Sequence, residues 1–154
     1  MPYAIGLPTP AATAQWGGDF AACHGGEPNG VIYLHGDLGA GKTSLVRAML
    51  RYWGYQGAVK SPTYTLIEIY ALPSLRLYHL DLYRVADPEE LEWLGLRDYL
   101  RDERAIWLIE WPQRGADALP DADLEITLDY DPPGRQLGLR SHSHAGQGVI
   151  ECLE

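Results

Sequence analysis

The chain has 154 residues, the size of one domain, and its 46% hydrophobic and 21% charged content is that of an ordinary soluble globule. Lysine and arginine total 12 against 21 aspartates and glutamates, a net charge of -9. That balance excludes a grip on nucleic acid or an anionic membrane by bulk charge, and leaves room only for a local cationic or amide-lined site.

Thr9 and Pro10 predict a helix start, with Thr9 as N-cap and Pro10 in the first turn. The helix pattern runs to about His24, where Gly25-Gly26 stops it. Val31-Ile32-Tyr33-Leu34 reads as a short buried strand, Gly36 to Gly41 as a loop, and Thr43 to about Trp53 as a helix. Tyr64 to Tyr70 and Leu75 to Tyr83 read as strands joined by a hairpin-like turn at Pro73-Ser74. Asp87 caps a helix with an acidic first turn, and Leu96 to Arg101 adds a second short helical piece. Ala105 to Glu110 is an apolar strand ending on an acid, and Asp123 to Tyr130 alternates like a strand. Asp131-Pro132-Pro133-Gly134 turns the chain, with further strands expected at Gln136 to Ser141 and Gly148 to Cys152. Helices and strands mix throughout, so the expected class is α/β. Cys23 and Cys152 lie far apart with no CxxC spacing and are expected as reduced thiols. No leader or membrane-length apolar run is read, so a cytoplasmic protein is expected.

Gly36-Asp37-Leu38-Gly39-Ala40-Gly41-Lys42-Thr43 fits the phosphate-loop pattern G-x-x-x-x-G-K-S/T at every fixed position. A chance match in a chain this long is roughly a one-percent event. The loop also follows a buried strand and opens a helix, as phosphate binding requires. Glycines turn backbone N–H groups inward, and the helix adds its positive dipole end. Lys42 is then expected at the terminal phosphates and the Thr43 hydroxyl on Mg²⁺. The competing reading is a plain glycine turn, which leaves a loop lysine with no anion to meet. Only Lys42 and Lys60 are lysines, against ten arginines. The expected fold is a compact single-domain P-loop NTPase over residues 1–154, a mixed sheet flanked by a few helices.

Magnesium at a nucleotide needs one or two carboxylates near the threonine hydroxyl. Glu110, at the end of its strand, is the first candidate, because ligands sit at the carboxyl ends of α/β strands. Asp81 is the second, as an acid inside an apolar strand that orients water or the metal shell. The alternatives are a solvated strand-end acid for Glu110, and a structural pair with His79 or Arg84 for Asp81. Thr63, in Ser61-Pro62-Thr63-Tyr64-Thr65, lies where switch-type hydrolases sense the terminal phosphate, or else marks a proline-fixed start of a strand. Trp93 and Trp107 are expected in the core, and Trp111 either walls the nucleotide site or packs there too.

Arg97, Arg101 and Arg104 fall at helical spacing, as in a nucleotide-kinase lid, but read better as a solvated face paired with nearby acids. Asp131-Pro132-Pro133-Gly134 spells a D-x-x-G but reads as a turn. The guanine-binding N-K-x-D is absent, so ATP is favoured over GTP.

Five motifs in order, GDLGAGKTS, SPTYTL, HLDLYR, DPEELEWLGLRDYL and IEWPQ, resemble the bacterial TsaE (YjeE) family from about Thr9 to Arg135. The resemblance implies a small P-loop ATPase that supports N6-threonylcarbamoyladenosine formation at tRNA position 37. It implies the partner proteins TsaD and TsaB, with tRNA met only through their complex and no membrane involved. It implies ATP and Mg²⁺, with partner-stimulated hydrolysis. Family roles fall on Lys42, Asp81 and Glu110 as catalytic residues, and on Thr43, Glu110 and Asp81 at the metal. The loop from Gly36 through Asp37, Leu38, Gly39, Ala40 and Gly41 would hold the phosphates, with Ser44 beside the α-phosphate. Trp111 matches a functionally sensitive tryptophan, and Thr13 and Arg135 are weaker nucleotide contacts. The runner-up is a small nucleotide or small-molecule kinase.

Overall fold

Residues 3–28, 30–37 and 39–154 are described by the computed structural model. Leu38 of the glycine loop lies outside them.

Seven strands form one sheet in the order β1-β7-β6-β2-β5-β4-β3. They are β1 (Tyr3–Leu7), β2 (Gly30–His35), β3 (Ile67–Ala71), β4 (Arg76–Asp81), β5 (Ala105–Glu110), β6 (Leu124–Asp131) and β7 (Gly134–Ser141). The four central strands, β6, β2, β5 and β4, run parallel to one another. β3 pairs antiparallel with β4, and β7 with both β6 and β1, which makes the sheet mixed.

Alternation along the central strands sorts side chains onto two faces. Ile106 and Leu108 of β5, with Ile32 and Leu34 of β2, point to one core. Helices α1 (Pro10–His24), α2 (Lys42–Tyr52) and α5 (His144–Leu153) cover it, through Trp16, Phe20, Leu45, Met49, Val149 and Ile150. Ala105, Trp107 and Ile109 point the other way, under the short helices α3 (Glu89–Leu94) and α4 (Leu96–Tyr99). The caps follow sequence chemistry. Thr9 Oγ1 accepts the Ala12 N–H at 3.1 Å, and Gly25 ends α1 at φ +74°. The cap position of α3 falls on Pro88, one residue past the expected Asp87, whose Oδ1 accepts the Glu89 N–H at 2.9 Å.

Four expectations are corrected. Gly148 to Cys152, expected as a strand, belongs to α5, because Val149 and Ile150 serve one helix face against the core. The strand expected from Tyr64 begins only at Ile67, since Leu66 takes φ +67° and donates its N–H to Pro62 O at 2.8 Å. Cys23 and Cys152, expected as free thiols, are joined in a disulfide 129 residues apart. The ends of α1 and α5 lie together, with Cα atoms 5.7 Å apart, a proximity that sequence separation conceals. Trp93 is 84% exposed: α3 spends its inward face on Leu91. Trp93 lies two residues on, about 200° round the helix. β1 has no counterpart among the expected strands.

Leu108 is fully buried at the centre of the sheet. Leu108→Ala is expected to cost about 2–5 kcal/mol, mostly as an unfilled cavity. Urea denaturation should show a lowered midpoint with an unchanged slope.

Candidate functional site

Three parallel strands bring their carboxyl ends level. The register pairs Leu34 with Glu110 on one side of β5, and Asp81 with Glu110 on the other. The glycine loop leaves β2 just past this line and returns as α2. Two glycines permit that path. Gly41 adopts φ +101°, and a Cβ on Gly36 would stand 2.6 Å from the Leu128 carbonyl oxygen.

Lys42 opens α2 and is buried, at 7% exposure. Its Nζ donates to Gly36 O at 2.5 Å and lies 3.0 Å from Glu110 Oε1. The second Glu110 oxygen meets His79 Nε2 at 2.6 Å. Burial alone pushes the Glu110 carboxyl up, but the His79 hydrogen bond and the charges of His79 and Lys42 outweigh it and hold the group below its ordinary 4.5. An ionised carboxylate only accepts, so His79 Nε2 carries the proton and Nδ1 is left buried without a partner. Trp111 follows Glu110 in the left-handed region, at φ +56°. Lys42 Nζ stands 5.6 Å from the centre of its ring, and Tyr83 packs 5.1 Å from it. A non-glycine residue in that region carries about 1–3 kcal/mol of strain, of the kind that clusters at functional sites.

Asp81 is buried beside this group. Its Oδ1 accepts the Tyr83 N–H at 3.0 Å and its Oδ2 accepts the Thr63 hydroxyl at 3.2 Å. Its partners are therefore neither His79 nor Arg84. His79 bonds Glu110, and the Arg84 guanidinium lies 4.5 Å over the Tyr64 ring. The Ser61–Thr65 segment is thus tied to the acid at the end of β4. Leu66 O, at its close, accepts the Asp81 N–H at 3.0 Å.

On the far side of the loop, Arg135 grips it from below. Its guanidinium donates to Ala40 O at 2.6 Å and to Gly39 O at 3.2 Å. It also stacks 4.5 Å over Tyr130. A hollow of about 330 Å³ opens there, lined by Thr13, Gly41, Ser44, Tyr130 and Arg135 among others. Thr13 and Arg135, remote in sequence, thus meet Ser44 at one hollow. Thr43 is half-buried on the first turn of α2, and Asp37 is exposed.

Other candidates are spent elsewhere. Arg97 pairs with Glu92 and Arg101 with Asp98 on the surface, as the solvated-face reading expects. Among the described residues no group of three or more His, Cys, Asp or Glu could hold a metal ion. No described helix is long and apolar enough to cross a membrane. Sequence reasoning missed His79 as the Glu110 partner and Tyr130 as a wall of the hollow. The sequence did mark His79 as a polar residue on the Asp81 face of β4, inside an apolar run, but not which acid it would meet.

The fold is that of a mixed-sheet α/β protein with a strand, glycine loop and helix at its centre. The family described as "Threonylcarbamoyl adenosine biosynthesis protein TsaE" matches residues 7–137. The chain is 50% identical over 123 residues to the tRNA threonylcarbamoyladenosine biosynthesis protein TsaE of Haemophilus influenzae, covering 80% of this chain and 77% of that one. It is 39% identical over 103 residues to the protein of the same name from Rickettsia bellii, covering 66% and 70%. The crystal structure of Bacillus subtilis YdiB superposes with a TM-score of 0.77 at 26% identity, covering 98% of this chain and 94% of that one. The chain belongs to the TsaE family, proteins of threonylcarbamoyladenosine biosynthesis.

Glu110 contributes stability as a carboxylate whose pKa folding depresses. The unfolded chain then binds more protons, so that contribution is complete above about pH 4.5 and fades as pH falls through the folded value. Glu110→Gln also strands a buried ammonium, which costs about 3–5 kcal/mol. Chemical denaturation across pH should show a wide gap between wild type and Glu110→Gln at neutrality, closing only below pH 4.5.

Proposed function

We propose that this chain binds ATP on its glycine loop and hydrolyses it slowly, in support of tRNA threonylcarbamoyladenosine formation by a TsaB–TsaD complex in the cytoplasm. The observation that carries the reading is the buried Lys42 ammonium on the glycine loop, 3.0 Å from Glu110. A lysine buried at that position suits a mobile anion. It can trade one negative partner, the carboxylate, for another, the terminal phosphates, without ever standing unpaired.

The residues present fit a magnesium nucleotide. The backbone of residues 39–44 runs into the amino end of α2, where N–H groups and the helix dipole favour an anion. Trp111 Nε1 is buried beside the site with no partner. The available donors, the Thr43 hydroxyl and the Asp81 and Glu110 carboxylates, are hard oxygens of the kind Mg²⁺ takes. Magnesium in such sites is held by one or two carboxylates together with substrate phosphates. When bound, the ion would neutralise charge building on the phosphate oxygens.

The chain's own groups then divide the work. Backbone amides and Lys42 hold the phosphates. Thr13, Ser44, Tyr130 and Arg135 wall the hollow that would take the nucleoside. Glu110, kept ionised by His79, is a carboxylate able to orient or accept a proton from water. Asp81 holds Thr63 and so couples the Ser61–Thr65 segment to the site. No arginine is bonded within the Lys42–Glu110–His79 group, so intrinsic turnover should be slow, and the partner complex would supply or organise the missing charge. The net charge of -9 favours docking on a more basic face of that complex.

Reconstitution with TsaB, TsaD, unmodified tRNA and the threonylcarbamoyl donor tests the reading. Wild type should sustain many rounds of modification. Lys42→Ala should lose at least about tenfold in ATP affinity, and Glu110→Gln should bind ATP but lose about 10²-fold or more in hydrolysis. If both variants sustained modification as wild type does, the reading would be wrong.

A further inference from the structure

We propose that Cys23 and Cys152 form a reversible dithiol–disulfide site that latches α5 onto α1. The bridge joins the next-to-last residues of two helices, and neither cysteine lies on a strand of the sheet. Its constraint therefore falls on how the last turns of α5 sit, with the sheet pairing left to its own hydrogen bonds.

α5 needs such a constraint. It has ten residues, two of them Gly146 and Gly148, the poorest helix formers after proline. Its first turn carries no acidic residue to meet the dipole. The amino end is secured by Ser143, whose Oγ accepts the Gly146 N–H at 3.0 Å. The carboxyl end has no such cap among its side chains, and the cysteine bridge lies there instead. A solvent-open hollow of about 340 Å³ runs between α5, α1 and the sheet, with Cys23, Ile32, Leu124, Gly146 and Val149 in its wall. The helix is thus pinned at both ends, with part of its length facing that hollow.

Cys23 is half-buried and Cys152 is exposed, so a small disulfide can approach them. The exchange balances with glutathione disulfide as the oxidant. One cysteine thiolate attacks a glutathione sulfur and expels one glutathione thiolate. The second cysteine thiolate then displaces the other glutathione and closes the bridge. Two electrons pass from the cysteine pair to glutathione, and the two cysteine protons end on two glutathione thiols. Reduction by a dithiol runs the same steps backward and frees the last turns of α5, while Ser143 keeps the first turn in place.

Hydrogen exchange of the full chain in buffers of fixed glutathione ratio tests the latch. Across the ratio, two free thiols should convert to none in a single two-electron step without a stable glutathione adduct. Reduction should speed amide exchange in residues 150–153 by about tenfold or more, and leave β2 and β5 within about twofold. Cys152→Ser and Cys23→Ser, held reduced, should each reproduce the reduced pattern. The proposal is overturned if glutathione stays trapped on either cysteine. It is equally overturned if α5 exchange ignores the redox state, or if the central strands loosen as much as α5 does.

Discussion

A lysine ammonium inside a protein must have a negative partner at hand, and here the partner is Glu110, 3.0 Å away. Meeting that requirement constrains much of the fold. β2 must lie beside β5 and parallel to it, so that the loop leaving Leu34 returns its lysine over the residue that pairs with Leu34. β4 must flank β5 on the other side, so that His79 can bond the second carboxylate oxygen and Asp81 can end level with Glu110. The purely apolar faces of β5 then supply two cores, one for each layer of helices. Breaking such a buried pair by removing one charge is expensive, whereas exchanging one anion for another is not. Under the proposed function, a nucleotide arriving on the glycine loop would be that second anion.

The two flanks of the loop are built for different tasks. Arg135 and Tyr130, on the β6–β7 side, hold the loop carbonyls and wall a hollow with Thr13 and Ser44. Trp111, Tyr83 and the Ser61–Thr65 segment, on the β4–β5 side, surround the acids. Both non-glycine residues that carry positive φ next to the acids, Leu66 and Trp111, lie on this second flank. The first flank suits a nucleoside. Under the proposed function the second would respond to the terminal phosphate and to a partner protein, and the arginine-stacked Tyr64 at its edge is 83% exposed.

Much of this was legible in the chain because local chemistry and tertiary structure agree there. Thr9-Pro10 and Gly25 bracket α1, and continuous apolar runs mark β2 and β5, as strands buried on both faces require. The glycine loop, Lys42, Asp81 and Glu110 were placed by pattern, and the coordinates bring Lys42 onto Glu110 with Asp81 adjacent. Where the reading failed, a distant partner decides. β1 is five residues with a glycine, held by antiparallel pairing to β7 some 130 residues on. α5 reads as a strand from its β-branched pair and glycines, and becomes a helix through burial against α1 and the cysteine bridge. Trp93 misled because bulk suggested burial while a six-residue helix had only one inward position to give. Nothing local could say that His79 would bond Glu110 rather than Asp81. The register of β4 against β5 decides that.

The central claim is that Lys42 trades Glu110 for the phosphates of a nucleotide. Lysine side-chain nitrogen resonances read this directly, since the chain has only Lys42 and Lys60 to assign. In the nucleotide-free protein the Lys42 ammonium should be slowed in exchange with water and coupled to Glu110. Titration with ATP and Mg²⁺ should move that resonance in a saturable way while the Lys60 resonance stays in place. Saturable nucleotide binding that leaves the Lys42 resonance unmoved would contradict the claim.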